Sequence, residues 1–119
     1  MKTTVEEIKK AQEALVESKI VNNGTYKSVF KGYISGFGAS LVQAGLLPTV
    51  IFYEAESSEA QERNFLINAL KTMLGINTDK LARYILEEGK ANDQTFIKDV
   101  AQAMVAMKLA LRMYNKKDQ

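Results

Sequence analysis

Two groups of cations carry the clearest chemical signal in this chain. Lys108, Arg112 and Lys116 recur every four residues, with Lys117 beside them and no acid between Asp99 and Asp118. Lys27 and Lys31 are also four apart, inside a longer acid-free stretch between Glu17 and Glu54 that also holds Lys19. Residues four apart share one face of a helix, so each group would project uncompensated positive charge from one side. Like charges at that spacing weaken an isolated helix slightly, and an anion laid across them removes the penalty. The chemistry on offer is phosphate binding by Lys27, Lys31, Lys108 and Arg112, which positions a nucleic acid without reading its sequence. The competing reading is a solvated face, with cations favoured at a helix C-terminus, a position that suits Lys116 and Lys117. A net charge of only +2 is modest for a nucleic-acid binder.

Other chemistries are poorly supplied. The chain has no cysteine and no histidine, which excludes disulfides, thiolate nucleophiles, cysteine or histidine metal sites and imidazole acid–base catalysis. Carboxylates alone could bind a hard metal or move protons, so Glu6/Glu7, Glu54/Glu56/Glu59, Glu87/Glu88 and Asp93/Asp99 are the candidates. They fall on helix ends, turns and solvent faces, where surface carboxylates also favour helix N-termini. No nucleophile is paired with a base, so the expectation is a protein that is not an enzyme, with no catalytic residue, metal or cofactor. A small enzyme using carboxylates alone would need two acids to converge in a pocket.

Gly32, Gly36 and Gly38 do not make a phosphate loop, because the spacing is not GxGxxG and no GK[ST] follows. Gly32, Gly36 and Ser40 are four apart, so on a helix they form a strip of small residues along which another helix can approach closely. Tyr26, Tyr33, Phe37, Phe52 and Tyr53 could stack nucleobases, but their helical spacing places them in the core.

Helical periodicity sets the elements that must position these groups. Thr4 is a fitting N-cap for a helix whose Val5, Ile8, Ala11, Leu15 and Val16 recur three or four apart up to about Ile20, where Asn22, Asn23 and Gly24 stop it. A second helix is predicted from about Thr25 to Ala44, with Tyr26, Val29, Phe30, Tyr33, Ile34, Phe37, Leu41 and Val42 on a wide apolar face and Gly45 as its left-handed cap. Leu46 and Leu47 connect it to a short helix from Pro48 through Tyr53. Ser58, with Gln61 as capping-box partner, opens a helix through Leu74 that Gly75 closes. Thr78 opens a shorter one with Leu81, Ala82, Ile85 and Leu86 inward, ending at Gly89. The last runs from about Asp93 to Tyr114 and buries Ile97, Val100, Ala101, Met104, Met107 and Leu111. No strand pattern competes.

The expected fold is therefore all-α, a compact bundle of five or six helices with short turns, in a single domain over residues 1–119. Residues 1–60 hold six Lys/Arg against seven Asp/Glu, and residues 61–119 hold ten against seven, so the second half is the basic one. The N-terminal MKTTVEEIKKAQEAL is amphipathic and does not read as a signal peptide, which makes a cytoplasmic location the expectation. The uncharged run from Gly32 to Tyr53 is long enough to cross a bilayer, but Ser35, Ser40, Gln43 and Thr49 interrupt it, and Gly45 and Pro48 divide it.

The order of these pieces resembles the small subunit of the Cmr-type CRISPR effector complexes, the type III-B RNA-guided systems. The resemblance lies in YKSVFK at Tyr26 to Lys31, the small-residue helix that follows, and AGLLPTVIFY from Ala44 to Tyr53. FLINALKTML at Phe65 to Leu74 and a long last helix with spaced basics then fall in the same order, so it covers nearly the whole chain. Members of that family often carry a Trp-Leu-Lys-Arg-like segment on the last helix, where this chain has MKLALR from Met107 to Arg112. The resemblance implies a non-catalytic subunit whose copies stack into a short filament beside the subunits that hold the guide RNA. It also implies partners: the other subunits of a Cmr effector complex, guide RNA and target RNA, and sister copies, with no membrane. Nuclease activity would rest with other subunits. The alternative is a helical protein–protein interaction subunit whose cations meet acidic patches on a partner and that does not contact nucleic acid.

Overall fold

In the computed structural model, which describes residues 3–55 and 61–117, Thr4 opens the first helix through a reciprocal capping box. Its backbone amide donates to Glu7 Oε1 at 2.8 Å, and the Glu7 amide donates to Thr4 Oγ1 at 3.1 Å. Helix α1 spans Val5–Glu17 and buries Ala11, Ala14 and Leu15, while Val5 and Val16, expected on the same stripe, are exposed.

The segment after it departs from the sequence reading. Asn23 and Gly24 both have positive φ, 54° and 77°, the combination that a two-residue hairpin turn requires. Strands β1 (Val21–Asn22) and β2 (Thr25–Tyr26) therefore pair antiparallel across them, and β3 (Asn115–Lys116) adds in parallel beside β2. The expectation that no strand competes is corrected here, although the sheet is very small. Thr25 and Tyr26 belong to it, so the second helix starts later than predicted.

Helix α2 spans Val29–Ala44 and buries Phe30, Ile34 and Phe37. Its apolar face is narrower than predicted: Val42 is 86% exposed, on the side away from the core. Gly45, at φ 94°, separates it from α3 (Leu46–Glu54), whose first residue Leu46 is buried rather than a connector. Pro48 sits in the first turn of α3, where a missing amide hydrogen costs nothing. Helix α3 is the neighbour that the small-residue strip admits. A Cβ at Gly36 would stand 3.0 Å from the Tyr53 hydroxyl, and Ser40 Oγ hydrogen-bonds Thr49 Oγ1 at 2.7 Å, whereas Gly32 faces open space.

Helix α4 (Gln61–Leu74) ends at Gly75, φ 70°, with the Ile76 amide reaching back to the Lys71 carbonyl. Ser58, the predicted cap, lies outside the described residues, as do Glu56 and Glu59. Helix α5 spans Leu81–Glu87, starting three residues after Thr78, and Leu86 is exposed instead of inward. Helix α6 (Gln94–Leu111) is capped by Asp93, whose carboxylate accepts from the Thr95 and Phe96 amides at 3.0 and 3.2 Å. It ends at Leu111, before the predicted Tyr114, because the chain there turns to feed β3. One core unites Leu15, Phe37, Leu66, Leu70, Leu81, Ile85 and Met107, with α6 packed on α1, α2 and α4.

Candidate nucleic-acid interface

Three of the four predicted cations meet. Helix α6 buries Met107 and Leu111, and this phase turns Lys108 and Arg112, one turn apart, out to solvent. Helix α2 buries Ile34 in its second turn, which puts Lys31 at the edge facing α6. Lys31, Lys108 and Arg112 consequently ring one shallow depression of about 10 Å³, floored by Tyr26, Ile34 and Leu111. A dimple of that size holds no ligand of its own. What it does is set three flexible positive side chains around one point, and no carboxylate among the described residues lines it. Cations gathered on rigid helices around an apolar floor attract a phosphate chain more strongly than the same charges spread apart.

Lys27 does not join them. It precedes α2 instead of lying one helical turn before Lys31, so the predicted like-charge pair on a helix is absent. Its Nζ instead stands 2.7 Å from Glu62 Oε2 of α4. The hydrogen bond that Lys27 donates to this carboxylate, reinforced by the carboxylate's charge, raises the Lys27 pKa above the usual lysine value. The acid-free stretch of sequence is thus not acid-free in space. Lys116 also leaves the predicted row, since it lies in β3, and the stripe on α6 stops at Arg112, the residue that caps the helix.

Beyond Tyr26 the surface opens into a cleft of about 560 Å³, lined among others by Lys19, Asn22, Asn23, Lys27, Glu62, Phe65 and Lys117. Tyr26 borders both hollows and is itself buried. Sequence reading placed Lys19 in the positive stretch but missed the asparagines as lining residues. The Asn23–Gly24 pair between two short apolar runs was the signal that would have found the hairpin they stand on.

Three of the remaining candidates, Glu7, Glu54 and Asp93, have structural work. Glu54, expected at the surface, is 7% exposed and accepts hydrogen bonds from the Leu81 and Ala82 amides. Asp93 and Glu7 cap helices, and their backbone hydrogen bonds hold both carboxyls below the usual range. Among the described residues no group of three or more acids is placed to hold a metal ion. Of the aromatics, Tyr26, Phe37 and Tyr53 are core as expected, while Phe52 is exposed with the Arg63 guanidinium 4.6 Å from its ring centroid.

The family model of CRISPR-associated protein (Cas_Cmr5) matches residues 4–116. The chain belongs to this family. It is a small subunit of the Cmr type, the type III-B CRISPR systems, and so part of a Cmr complex with other subunits. No curated protein and no solved structure matches it. In this Cmr small subunit the MKLALR run resolves by burial: Met107 and Leu111 point into the core, and the separated Lys108 and Arg112 emerge on the same side. No helix among its described residues is long and apolar enough to cross a membrane.

Proposed function

We propose that this subunit is non-catalytic and that it helps accommodate guide and target RNA in a cytoplasmic Cmr effector complex acting in antiviral defence. Lys31, Lys108 and Arg112 contact phosphates of those strands, and sequence selectivity comes from guide–target pairing. The observation that supports this most is the convergence of these three exposed cations, from two helices, around one depression that no carboxylate among the described residues lines. Lys27 has a smaller part, since Glu62 neutralises it.

Sister copies stack into a filament through apolar surface that adjoins the basic face at Lys108. The groove between α2 and α6 offers such a surface: it is lined by Gly38, Ala39, Val42 and Val105, with Val42 86% and Val105 48% exposed. Small residues on α2 let a neighbouring element approach closely there.

The test is a reconstituted Cmr complex carrying Lys31→Ala, Lys108→Ala and Arg112→Ala together. Retention of target RNA should fall, and the plot of log affinity against log salt should flatten by roughly 0.7 for each phosphate that is no longer neutralised. Unchanged retention and slope in a complex that assembles normally would remove the assignment.

A further inference from the structure

The cleft beyond Tyr26 is distinct from the phosphate-facing cations and has the features of a small binding site. Its volume, about 560 Å³, falls in the range of roughly 300–1,000 Å³ typical of small-molecule pockets. Its charge is uneven. Among the described residues, Lys19, Lys27 and Lys117 line it against one carboxylate, Glu62, which Lys27 already neutralises at 2.7 Å. Lys19 and Lys117 are left to attract an anion.

Its walls also suit a flat heterocycle. The half-buried Phe65 lines the cleft, and its ring is held by near-parallel stacking on Phe30, with centroids 6.3 Å apart and planes 11° from parallel. Asn22 donates its amide to the Lys19 carbonyl at 2.8 Å, which leaves its side-chain oxygen as an acceptor. The Asn23 amide has no hydrogen-bond partner among the described residues and offers both a donor and an acceptor. An aromatic platform beside amide groups and cations is the set that recognises a nucleobase and its phosphate.

Lys19 adds an independent observation. It follows the end of α1 with φ 70°, the left-handed position where glycine or asparagine is the usual choice. The turn closes α1, with the Lys19 amide donating to the Val16 carbonyl at 3.1 Å, but a lysine there carries backbone strain that glycine would avoid, and its side chain is delivered to the cleft.

We propose that this cleft takes one unstacked nucleotide, its base against Phe65 and within reach of Asn22 and Asn23, its phosphate on Lys19 and Lys117. The inference rests on the RNA-contacting reading above and adds a separate site to it. Because Tyr26 borders both hollows, a strand crossing Lys31 and Arg112 reaches the cleft directly. The ligand is a nucleoside phosphate, either free or as one residue of a single strand.

The experiment is amide-detected NMR of the whole chain, titrated with the four 5′-nucleoside monophosphates and, separately, with a short single-stranded RNA. Saturable shifts at residues 19–27, 62–65 and 117 are expected, weakened at least fivefold by Phe65→Leu. Lys19→Asn, which removes the charge at a left-handed position that asparagine tolerates, and Asn23→Gly, which keeps the hairpin turn, should also weaken binding. Shifts with monophosphates identify a free-nucleotide site, and shifts with the strand alone identify a site for an RNA residue. Shifts with neither ligand, or shifts that all three well-folded variants leave unchanged, overturn the proposal. If the cleft variants are silent while the Lys31, Lys108 and Arg112 triple variant loses target RNA, the cleft proposal fails and the phosphate face stands. The reverse pattern removes the phosphate face and keeps the cleft.

Discussion

The carboxylate of Glu54, the last residue of α3, accepts a 2.6 Å hydrogen bond from the backbone amide of Leu81, the first residue of α5. A second bond, 3.0 Å from the Ala82 amide, completes a cap supplied from 27 residues earlier in the chain. Lys80, at the N-cap position, contributes no side-chain cap, so α5 depends on Glu54 for its start.

Removing that cap leaves two amides without an acceptor in a buried setting. Glu54→Ala should lower stability by roughly 1–3 kcal/mol, and Glu54→Gln, which keeps one acceptor oxygen, by less. Urea unfolding followed by circular dichroism measures both. Equal stabilities for the three proteins would contradict the capping role.

The strip of small residues on α2 gives a second contrast. Gly32→Ala meets nothing within 4 Å and should stabilise by about 0.5–1 kcal/mol, the helix preference of alanine over glycine. Gly36→Ala places a methyl 3.0 Å from the Tyr53 hydroxyl, which already donates to the Tyr33 carbonyl at 2.8 Å. It should fall short of the Gly32 gain, and adding Tyr53→Phe should relieve the crowding at the cost of that bond. A double-mutant cycle in thermal unfolding reads the coupling.

The helices were legible because period and caps agreed. Thr4, Asp93, Gly75 and Gly89 mark ends that both sequence and structure place within a residue or two. What was hidden depended on distant partners. Nothing near Leu81 announces that α5 begins there, because its cap comes from α3. The hairpin at Val21–Tyr26 reads in sequence as a helix stop followed by a helix from Thr25, because β2 is only two residues long and is completed by β3 from the far end of the chain. The candidate site shows the same division. Helical spacing found Lys108 and Arg112 as a pair, but the inclusion of Lys31 and the diversion of Lys27 to Glu62 are facts of tertiary packing.

Acid should act first on the caps. Backbone hydrogen bonds from Phe96 and Thr4 hold the Asp93 and Glu7 carboxyls below their ordinary values of 3.8 and 4.5. A folded pKa below the unfolded one means that the stabilisation is complete above those ordinary values and is lost as pH falls through the depressed ones. Stability of the native chain should therefore drop below about pH 4.5. Asp93→Asn, which still caps but does not titrate, should show a shallower decline in unfolding midpoints measured between pH 6 and pH 2.

Glu62 restrains the positive surface. In Glu62→Gln, Lys27 loses its charged partner and its pKa should fall back toward the ordinary lysine value, which carbon-detected NMR of the Nζ-adjacent carbon follows. The same variant should retain target RNA more strongly in the assembled complex, with a steeper salt dependence, whereas Lys27→Ala should weaken it less than Lys108→Ala does.

The most direct measurement is ultraviolet cross-linking of a reconstituted Cmr complex with guide and target RNA bound, followed by mass spectrometry of this subunit's peptides. Cross-links concentrated between Tyr26 and Ile34 and between Met104 and Met113 are the expected result, because Lys31, Lys108 and Arg112 lie in those two stretches and border one depression. An intact complex whose cross-links avoid both stretches, or fall only on the surface of α3 and α5, would contradict the assignment of this face to RNA.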